Sequence, residues 1–136
     1  RPTRQGAGGI VEAAGLIAGG RKLVAVISDF LWSEQELSAA FEALAQHDVL
    51  PIEIDDSSWL DGLPEWGILN LRDSETNSRR LVVMRPAVKQ AWQARDRARH
   101  SMVAARASGS GRDLFTVRDT IAWDRFSAYL MYGSTP

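Results

Sequence analysis

Three aspartates and a serine lie where two predicted strands end. Ser28 and Asp29 follow one apolar run, and Asp55 and Asp56 follow the next. Carboxylates placed in this way can bind a divalent cation or act as general acid and base. A hard cation needs about six oxygen donors, however, so capping or solvation of a strand end remains the alternative for Asp29. Acidic residues are also common at loop starts, and Asp55 and Asp56 have the same alternative.

The elements around these residues predict a parallel sheet. Leu23–Ile27 is a continuous apolar run, typical of a strand buried on both faces. Ser33 and Glu36 have the spacing of a capping box, which predicts a helix start near residue 34. A second strand is expected at 49–54, although Pro51 would weaken a central strand. Strand, helix and strand in this order predict a right-handed βαβ unit, whose strands end at one edge, where ligands collect.

The whole chain is expected to form one α/β domain over residues 10–136, after a flexible start at 1–9. Strands are predicted near 22–28, 49–54 and 113–117, helices near 10–18, 34–46, 87–107 and 120–131, and an inserted antiparallel hairpin near 67–84. The hairpin follows from two strand-like runs joined by Asp73–Ser78, which is rich in turn-forming residues.

Composition excludes several classes of protein. With 16 basic and 17 acidic residues among 136, the chain has no global field that would attract nucleic acid or an anionic membrane. The arginines of the predicted long helix are therefore interpreted as a solvated face. Cysteine is absent, and we find neither a transmembrane run nor a cleavable signal. A cytoplasmic location is expected.

Several motifs occur together in a distinctive order. ISDF follows the first strand, a helix ends in AQHDV, the acidic pair follows, and LPEWG leads into LRDSET. The most specific pieces are Ser28-Asp29-Phe30, Leu63-Pro64 with Gly67, and Asp73-x-Glu75-Thr76. From about Arg21 to Leu130 the chain resembles a group of von Willebrand factor A-like proteins, the bacterial domain-of-unknown-function family found beside MoxR-type AAA+ ATPases.

The resemblance implies a partial doubly wound sheet and an incomplete metal site. The family's metal-ion-dependent adhesion site uses an Asp-x-Ser-x-Ser loop, a threonine and a further aspartate, and only the last has a match, at Asp29. No Asp-x-Ser-x-Ser occurs in the chain, which begins at Arg1 rather than Met. We expect the C-terminal half of the fold, cut from a longer polypeptide. No ordered divalent ion is expected at Asp29, and magnesium is expected only in a longer protein.

The function implied by the resemblance is a non-catalytic protein–protein interaction module. It would serve a MoxR-type AAA+ ATPase in chaperone-like assembly or metal insertion, and no nucleophile–base pair suggests an enzyme. The predicted binding residues are Ser28, Asp29, Asp55, Asp56, Trp32 and Trp59. The tryptophans, with Trp66, fall in predicted loops, where they either anchor a partner or line the sheet edge.

Two other functions remain open. The first is a magnesium-dependent phosphoryl-transfer or nuclease-like domain that uses Asp29, Asp55 and Asp56. The second is a small-molecule-binding domain, although no glycine-rich phosphate loop follows a strand. The two histidines, His47 and His100, are interpreted as surface residues.

The last expectation concerns assembly. If the chain is the second half of the fold, Leu23–Ile27 loses a neighbouring strand and becomes an edge. An apolar edge presents unpaired backbone groups, which favour pairing with another chain. We therefore expect a homodimer in which two copies of Arg21–Phe30 pair antiparallel about a two-fold axis.

Overall fold

The computed structural model describes residues 6–73 and 76–134. The chain divides into two compact units. Unit 1 contains the residues up to Asp56 and those from His100 onward, and unit 2 contains Ser57–Arg99. The predicted single domain over residues 10–136 stays a prediction. Glu75, part of one family motif, lies outside the described residues.

The elements follow the predicted order closely. They are α1 (Gly8–Leu16), β1 (Leu23–Ser28), α2 (Glu34–Ala43), β2 (Asp48–Ile54), a 3₁₀ helix (Ser57–Leu60), β3 (Gly67–Arg72), β4 (Arg79–Met84), α3 (Pro86–Gly109), β5 (Phe115–Val117) and α4 (Trp123–Tyr132). Among the described residues, no helix is both long and apolar enough to cross a membrane.

Unit 1 is built on a parallel sheet of three strands in the order β1-β2-β5. Val26 of β1 lies opposite Pro51, and Ile52 of β2 lies opposite Phe115 of β5. The helix α2 connects β1 with β2, as expected for parallel neighbours, which cannot be joined by a tight turn. The predicted parallel α/β arrangement is therefore confirmed.

Pro51 lies in the central strand without costing a hydrogen bond to β1. The amide of Asp48 donates to Lys22 of the segment before β1 at 2.7 Å, and the amide of Asp55 donates to Val117 of β5 at 2.8 Å. Backbone groups alternate in direction along a strand, so position 51, like position 55, faces the β5 side. Pairing with β5 begins only at Ile52. The missing N–H therefore falls just outside that ladder.

The prediction that Leu23–Ile27 is buried on both faces is wrong. Leu23 and Ile27 are 61% and 64% exposed, and Val26 is the only residue of β1 that is buried. The physical reason is position, because β1 pairs with β2 alone and forms an edge of the described sheet. The apolar run therefore identified the strand correctly but not its burial, whereas the edge position agrees with the expectation drawn from the resemblance.

Two groups of apolar side chains form the core of unit 1. The larger one contains Ala14, Val26, Phe30, Leu37, Leu44, Val49, Val103, Ala107 and Leu114. The smaller one contains Leu50, Ile52, Phe115 and Tyr129. Tyr129 is completely buried, and burial raises its pKa to about 12. Its hydroxyl lies 3.5 Å from the carbonyl oxygen of Pro51, to which it donates.

Unit 2 contains the predicted antiparallel hairpin. β3 and β4 pair from Gly67 opposite Met84 to Arg72 opposite Arg79. The preceding segment, expected to be a loop, contains the short 3₁₀ helix. Lys89 of α3 holds this segment, because its ammonium group donates to the carbonyl oxygens of Asp61 and Leu63 at 3.1 and 2.8 Å.

Candidate functional site

Ser28 and Asp29 form a tight turn after β1. The amide of Phe30 donates to Ser28 Oγ at 3.1 Å, and the amide of Leu31 donates to Asp29 Oδ1 at 3.2 Å. The turn holds Phe30 at a φ of 49°, a left-handed conformation that a bulky residue rarely adopts. Because the Phe30 ring is fully buried, the two polar side chains direct this aromatic ring into the core.

Asp55 and Asp56 follow β2 but have different surroundings. Asp55 is buried, and Arg118 Nε donates to its Oδ2 at 2.9 Å, while Asp56 is exposed. The cation that neutralises Asp55 is therefore an arginine of this chain. Across the described ranges, we find no group of three or more His, Cys, Asp or Glu side chains placed to hold a metal ion.

A second group of polar side chains, which was not predicted from the sequence, lies on the same side of β2. Glu53 is completely buried, and its Oε2 lies 2.8 Å from His100 Nδ1. The hydroxyl of Thr116, directly across on β5, donates to the same oxygen at 3.1 Å. A buried carboxylate needs such partners, because its desolvation is costly. The available signal was one acidic residue inside the apolar run VLPIEI.

Two cross-strand pairs thus occupy one face of the sheet. Glu53 and Asp55 are two residues apart on β2, so their side chains point to the same face. Opposite them, Thr116 and Arg118 have the same spacing on β5 and its extension. The pairs Glu53–Thr116 and Asp55–Arg118 therefore stand next to each other.

A cleft of about 410 Å³ opens beside these pairs. Polar side chains dominate its wall: His100, Thr116, Arg118, Thr120 and Arg125. Ala122, the residue before the first turn of α4, also lines it and provides no side-chain cap. Arginine and threonine side chains thus place charged and neutral hydrogen-bond donors around this cleft.

The two histidines, both predicted to be surface residues, differ in exposure. His100 is 37% exposed and paired with Glu53. His47 is only 4% exposed, so its assignment to the surface was wrong. Its Nδ1 accepts from the backbone amide of Lys22 at 3.3 Å, which joins the end of the α2 segment to the start of β1. A histidine in this position has a structural role.

The predicted tryptophans lie in separate units. In unit 1, the half-buried Trp32 meets the Phe30 ring edge-on, with 5.1 Å between ring centroids. In unit 2, Trp59 lies 6.3 Å from Trp92 and remains 50% exposed. Trp32 is therefore a core residue, whereas Trp59 retains an accessible face.

Comparison with known proteins identifies the family. A family model described as "Protein of unknown function DUF58" matches residues 3–102. The chain belongs to this family. A curated relative from Paracoccus denitrificans, named "Uncharacterized protein in moxR 3'region", is 42% identical over 79 residues, which cover 57% of this chain and 75% of the relative. No solved structure matches this DUF58 chain.

The hairpin of this DUF58 protein has one exposed apolar face. Ile68 and Val83 are directly opposite each other on β3 and β4 and are 72% and 59% exposed. Leu81, two residues before Val83, lies on the same face and is 71% exposed. Arg72 and Arg79, the last pair before the turn, also lie on this face. The result is an apolar surface bordered by positive charge at one end.

Proposed function

We propose that this DUF58 protein is a non-catalytic protein–protein interaction module that works with a MoxR-type AAA+ ATPase. The curated relative is named for its place beside moxR, and neighbouring genes often encode proteins that act together. The observation that supports an interaction module is the exposed face of the hairpin. We call Ile68, Leu81 and Val83, with Arg72 and Arg79, the hairpin face.

The hairpin face has the composition of a binding surface rather than of an ordinary solvated strand pair. A hairpin normally places polar side chains on its solvent side, yet three aliphatic side chains occupy that side here. Contiguous exposed apolar groups with a polar border are typical of interaction sites. The two arginines make this border positively charged. They favour a partner surface with an apolar centre and carboxylates beside it.

The absence of catalysis is also part of the proposal. Ser28, the hydroxyl adjacent to Asp29, accepts from the Phe30 amide and lies 3.4 Å from Asp29 Oδ1. These contacts support a role in shaping the turn. Activation of a serine as nucleophile requires a base that removes its proton, typically a histidine held by a third group.

We further infer that unit 1 is a part of a von Willebrand factor A-like sheet. Parallel pairing of β1 with β2, a helical connection between them and Asp29 at the carboxyl end of β1 support this inference. An experimental structure of the DUF58 protein tests it. Antiparallel pairing of β1 with β2 would contradict it.

The interaction is tested by measuring the affinity of the purified protein for a MoxR-type ATPase of the same organism. We expect the double variant Ile68→Ser/Val83→Ser to weaken binding by at least about ten-fold, because central apolar side chains dominate interface energies. Arg79→Glu should also weaken binding. The loss of affinity should be larger at low salt than at high salt, because salt screens the electrostatic contribution of Arg79.

The matched control replaces two apolar side chains of unit 1 that are at least as exposed. Leu16 and Met131 are 82% and 74% exposed, and Leu16→Ser/Met131→Ser should leave the affinity unchanged. Circular dichroism should show that both double variants are folded. Equal binding by the hairpin variant and the control would disprove the proposed docking surface, and no binding by the wild type would disprove the partner.

A further inference from the structure

The cleft beside β5 is lined by two polar side chains that buried acids hold in place. Glu53 is 0% exposed and fixes His100, while Asp55 is 7% exposed and fixes Arg118. Surface arginines and histidines are usually mobile. Here each one is held from the interior by a carboxylate, an arrangement that preorganises binding groups.

The contact with Glu53 also determines what His100 can offer. Its Nδ1 lies 2.8 Å from the carboxylate and donates to it, so in the neutral ring the opposite nitrogen, Nε2, is an acceptor that can take a hydrogen bond from a hydroxyl group of a ligand. Arg118 is 70% exposed although its Nε is bound to Asp55. The guanidinium group is therefore anchored at one atom and accessible elsewhere.

The other wall adds further donors. Arg125 is exposed and lines the cleft from the first turn of α4. Ala122 leaves that turn without a side-chain cap, and uncapped amides at a helix start favour anions. The neighbouring acids Asp119 and Asp124 do not line the cleft.

We propose that this cleft binds a small phosphate monoester, whose phosphoryl group meets Arg118 and Arg125 and whose organic part has a hydroxyl group that donates to His100. Asp55 binds the Nε atom of Arg118, so the terminal nitrogens of Arg118 and the guanidinium group of Arg125 are the donors left for a ligand. A phosphoryl group, with three terminal oxygens, accepts more hydrogen bonds from two guanidinium groups than a carboxylate does. The volume of about 410 Å³ exceeds that of a phosphate ion and lies in the range of small-molecule sites. The remaining space fits the organic part of the ester.

The site is tested by titrating the ¹⁵N-labelled chain with glycerol phosphate, inorganic phosphate and acetate, above the second pKa of phosphate. We expect saturable shifts of the amides of His100, Thr116, Arg118, Thr120 and Arg125 with both phosphates, and weaker effects with acetate. The ester should bind more tightly than inorganic phosphate if it fills the cleft. Equal affinities for glycerol phosphate and inorganic phosphate would show that inorganic phosphate is a sufficient ligand, and would still support the phosphoryl site.

Two variants distinguish a built site from general attraction to positive charge. Arg125→Gln should weaken binding about ten-fold, the effect of losing one charge-assisted contact. Its control, Arg97→Gln, removes a charge that is also exposed, from α3 in unit 2, and should have no effect. Arg118→Lys keeps a cation beside Asp55 but loses the planar fork, and should also weaken binding.

Three outcomes would overturn the proposal. These are the absence of saturable shifts with either phosphate, equal affinity for acetate, and equal affinities of Arg125→Gln and Arg97→Gln. None of them depends on the MoxR-type partner, because the titration uses this chain alone.

Discussion

At the scale of single residues, ion pairs join segments of unit 1 that are distant in the sequence. Asp48, at the start of β2, accepts two hydrogen bonds from Arg112, from Nε to Oδ1 and from Nη2 to Oδ2, both at 2.9 Å. Such bidentate pairs are stronger than single contacts. The hydrogen bonds from Arg112 lower the pKa of Asp48. This pair joins β2 to the segment that leads into β5.

We predict that Asp48→Asn lowers the free energy of unfolding by about 1–3 kcal/mol at neutral pH, the range for hydrogen bonds to charged groups. The cost arises because Arg112 keeps its charge and loses its acceptor. Denaturant unfolding measures it. The control is Glu34→Gln, which removes the single 3.4 Å contact between exposed Glu34 and Arg106 and should cost less than about 0.5 kcal/mol.

The pH dependence of this difference has a definite sign. The pKa of Asp48 is lower in the folded than in the unfolded chain, so its contribution is complete above the ordinary aspartate pKa. It is lost as the pH falls through the lowered value. The gap between wild type and Asp48→Asn should therefore close in acid. A gap that widens in acid would contradict the assignment.

Residue-level predictions from sequence succeeded where a role is local and failed where it is not. The position of Ser28 and Asp29 at the carboxyl end of β1 was predicted correctly, and their contacts there span only two residues. The pairing of Glu53 with His100 joins residues 47 positions apart, and no periodicity indicates it. The burial of His47 was missed for the same reason, since its partner Lys22 is 25 residues away.

At the scale of elements, local capping explains where α2 begins. Ser33 Oγ accepts from the amide of Glu36 at 3.3 Å, and the Glu36 carboxylate accepts from the amide of Ser33 at 2.9 Å. This is the capping box expected from the sequence. The hydrogen bonds from Ser33 lower the pKa of Glu36.

We predict that Ser33→Ala lowers the free energy of unfolding by about 1 kcal/mol, the usual cost of losing an N-cap. Ser38→Ala is the control in the same helix. Ser38 Oγ donates to the carbonyl oxygen of Glu34 at 2.9 Å, a contact that does not stabilise a helix interior, so this change should be neutral or slightly stabilising. Urea denaturation measures the free energy of unfolding of both variants. Equal losses would show that the capping box does not stabilise the helix.

The boundaries of elements were predictable to within a few residues because capping and periodicity are local. β1 was expected at 22–28 and spans Leu23–Ser28, and the hairpin lies within the expected 67–84. Burial was not predictable in the same way. Whether an apolar run such as β1 has one neighbouring strand or two depends on elements distant in the sequence.

At the scale of the whole molecule, β1 is an edge strand of the sheet formed by the described residues. Even-numbered backbone groups of β1 point toward β2, since Lys22 accepts from Asp48, so those of Leu23, Ala25 and Ile27 point outward. An apolar cleft of about 260 Å³ between α1 and β1, lined by Ile10, Ile17 and Val24 among others, adjoins this edge. Unpaired groups beside an apolar surface favour strand addition.

We predict that this chain forms a homodimer through antiparallel pairing of two β1 strands about a two-fold axis. Light scattering at micromolar concentration should give twice the mass of the 15.0 kDa chain. Ala25→Pro should give a monomer, because it removes an outward N–H and leaves the hydrogen bonds to β2 intact. Ile27→Lys should do the same by placing a charge on the edge.

The control for the edge is Leu31→Lys, which adds the same charge at a residue that is 68% exposed and lies beyond β1. It should remain dimeric. If the wild type is monomeric, the edge does not pair in solution despite its exposed Leu23 and Ile27. If the wild type is dimeric and neither Ala25→Pro nor Ile27→Lys separates it, the interface lies elsewhere. The exposed hairpin face would then be the next surface to test, because its contiguous apolar side chains favour docking.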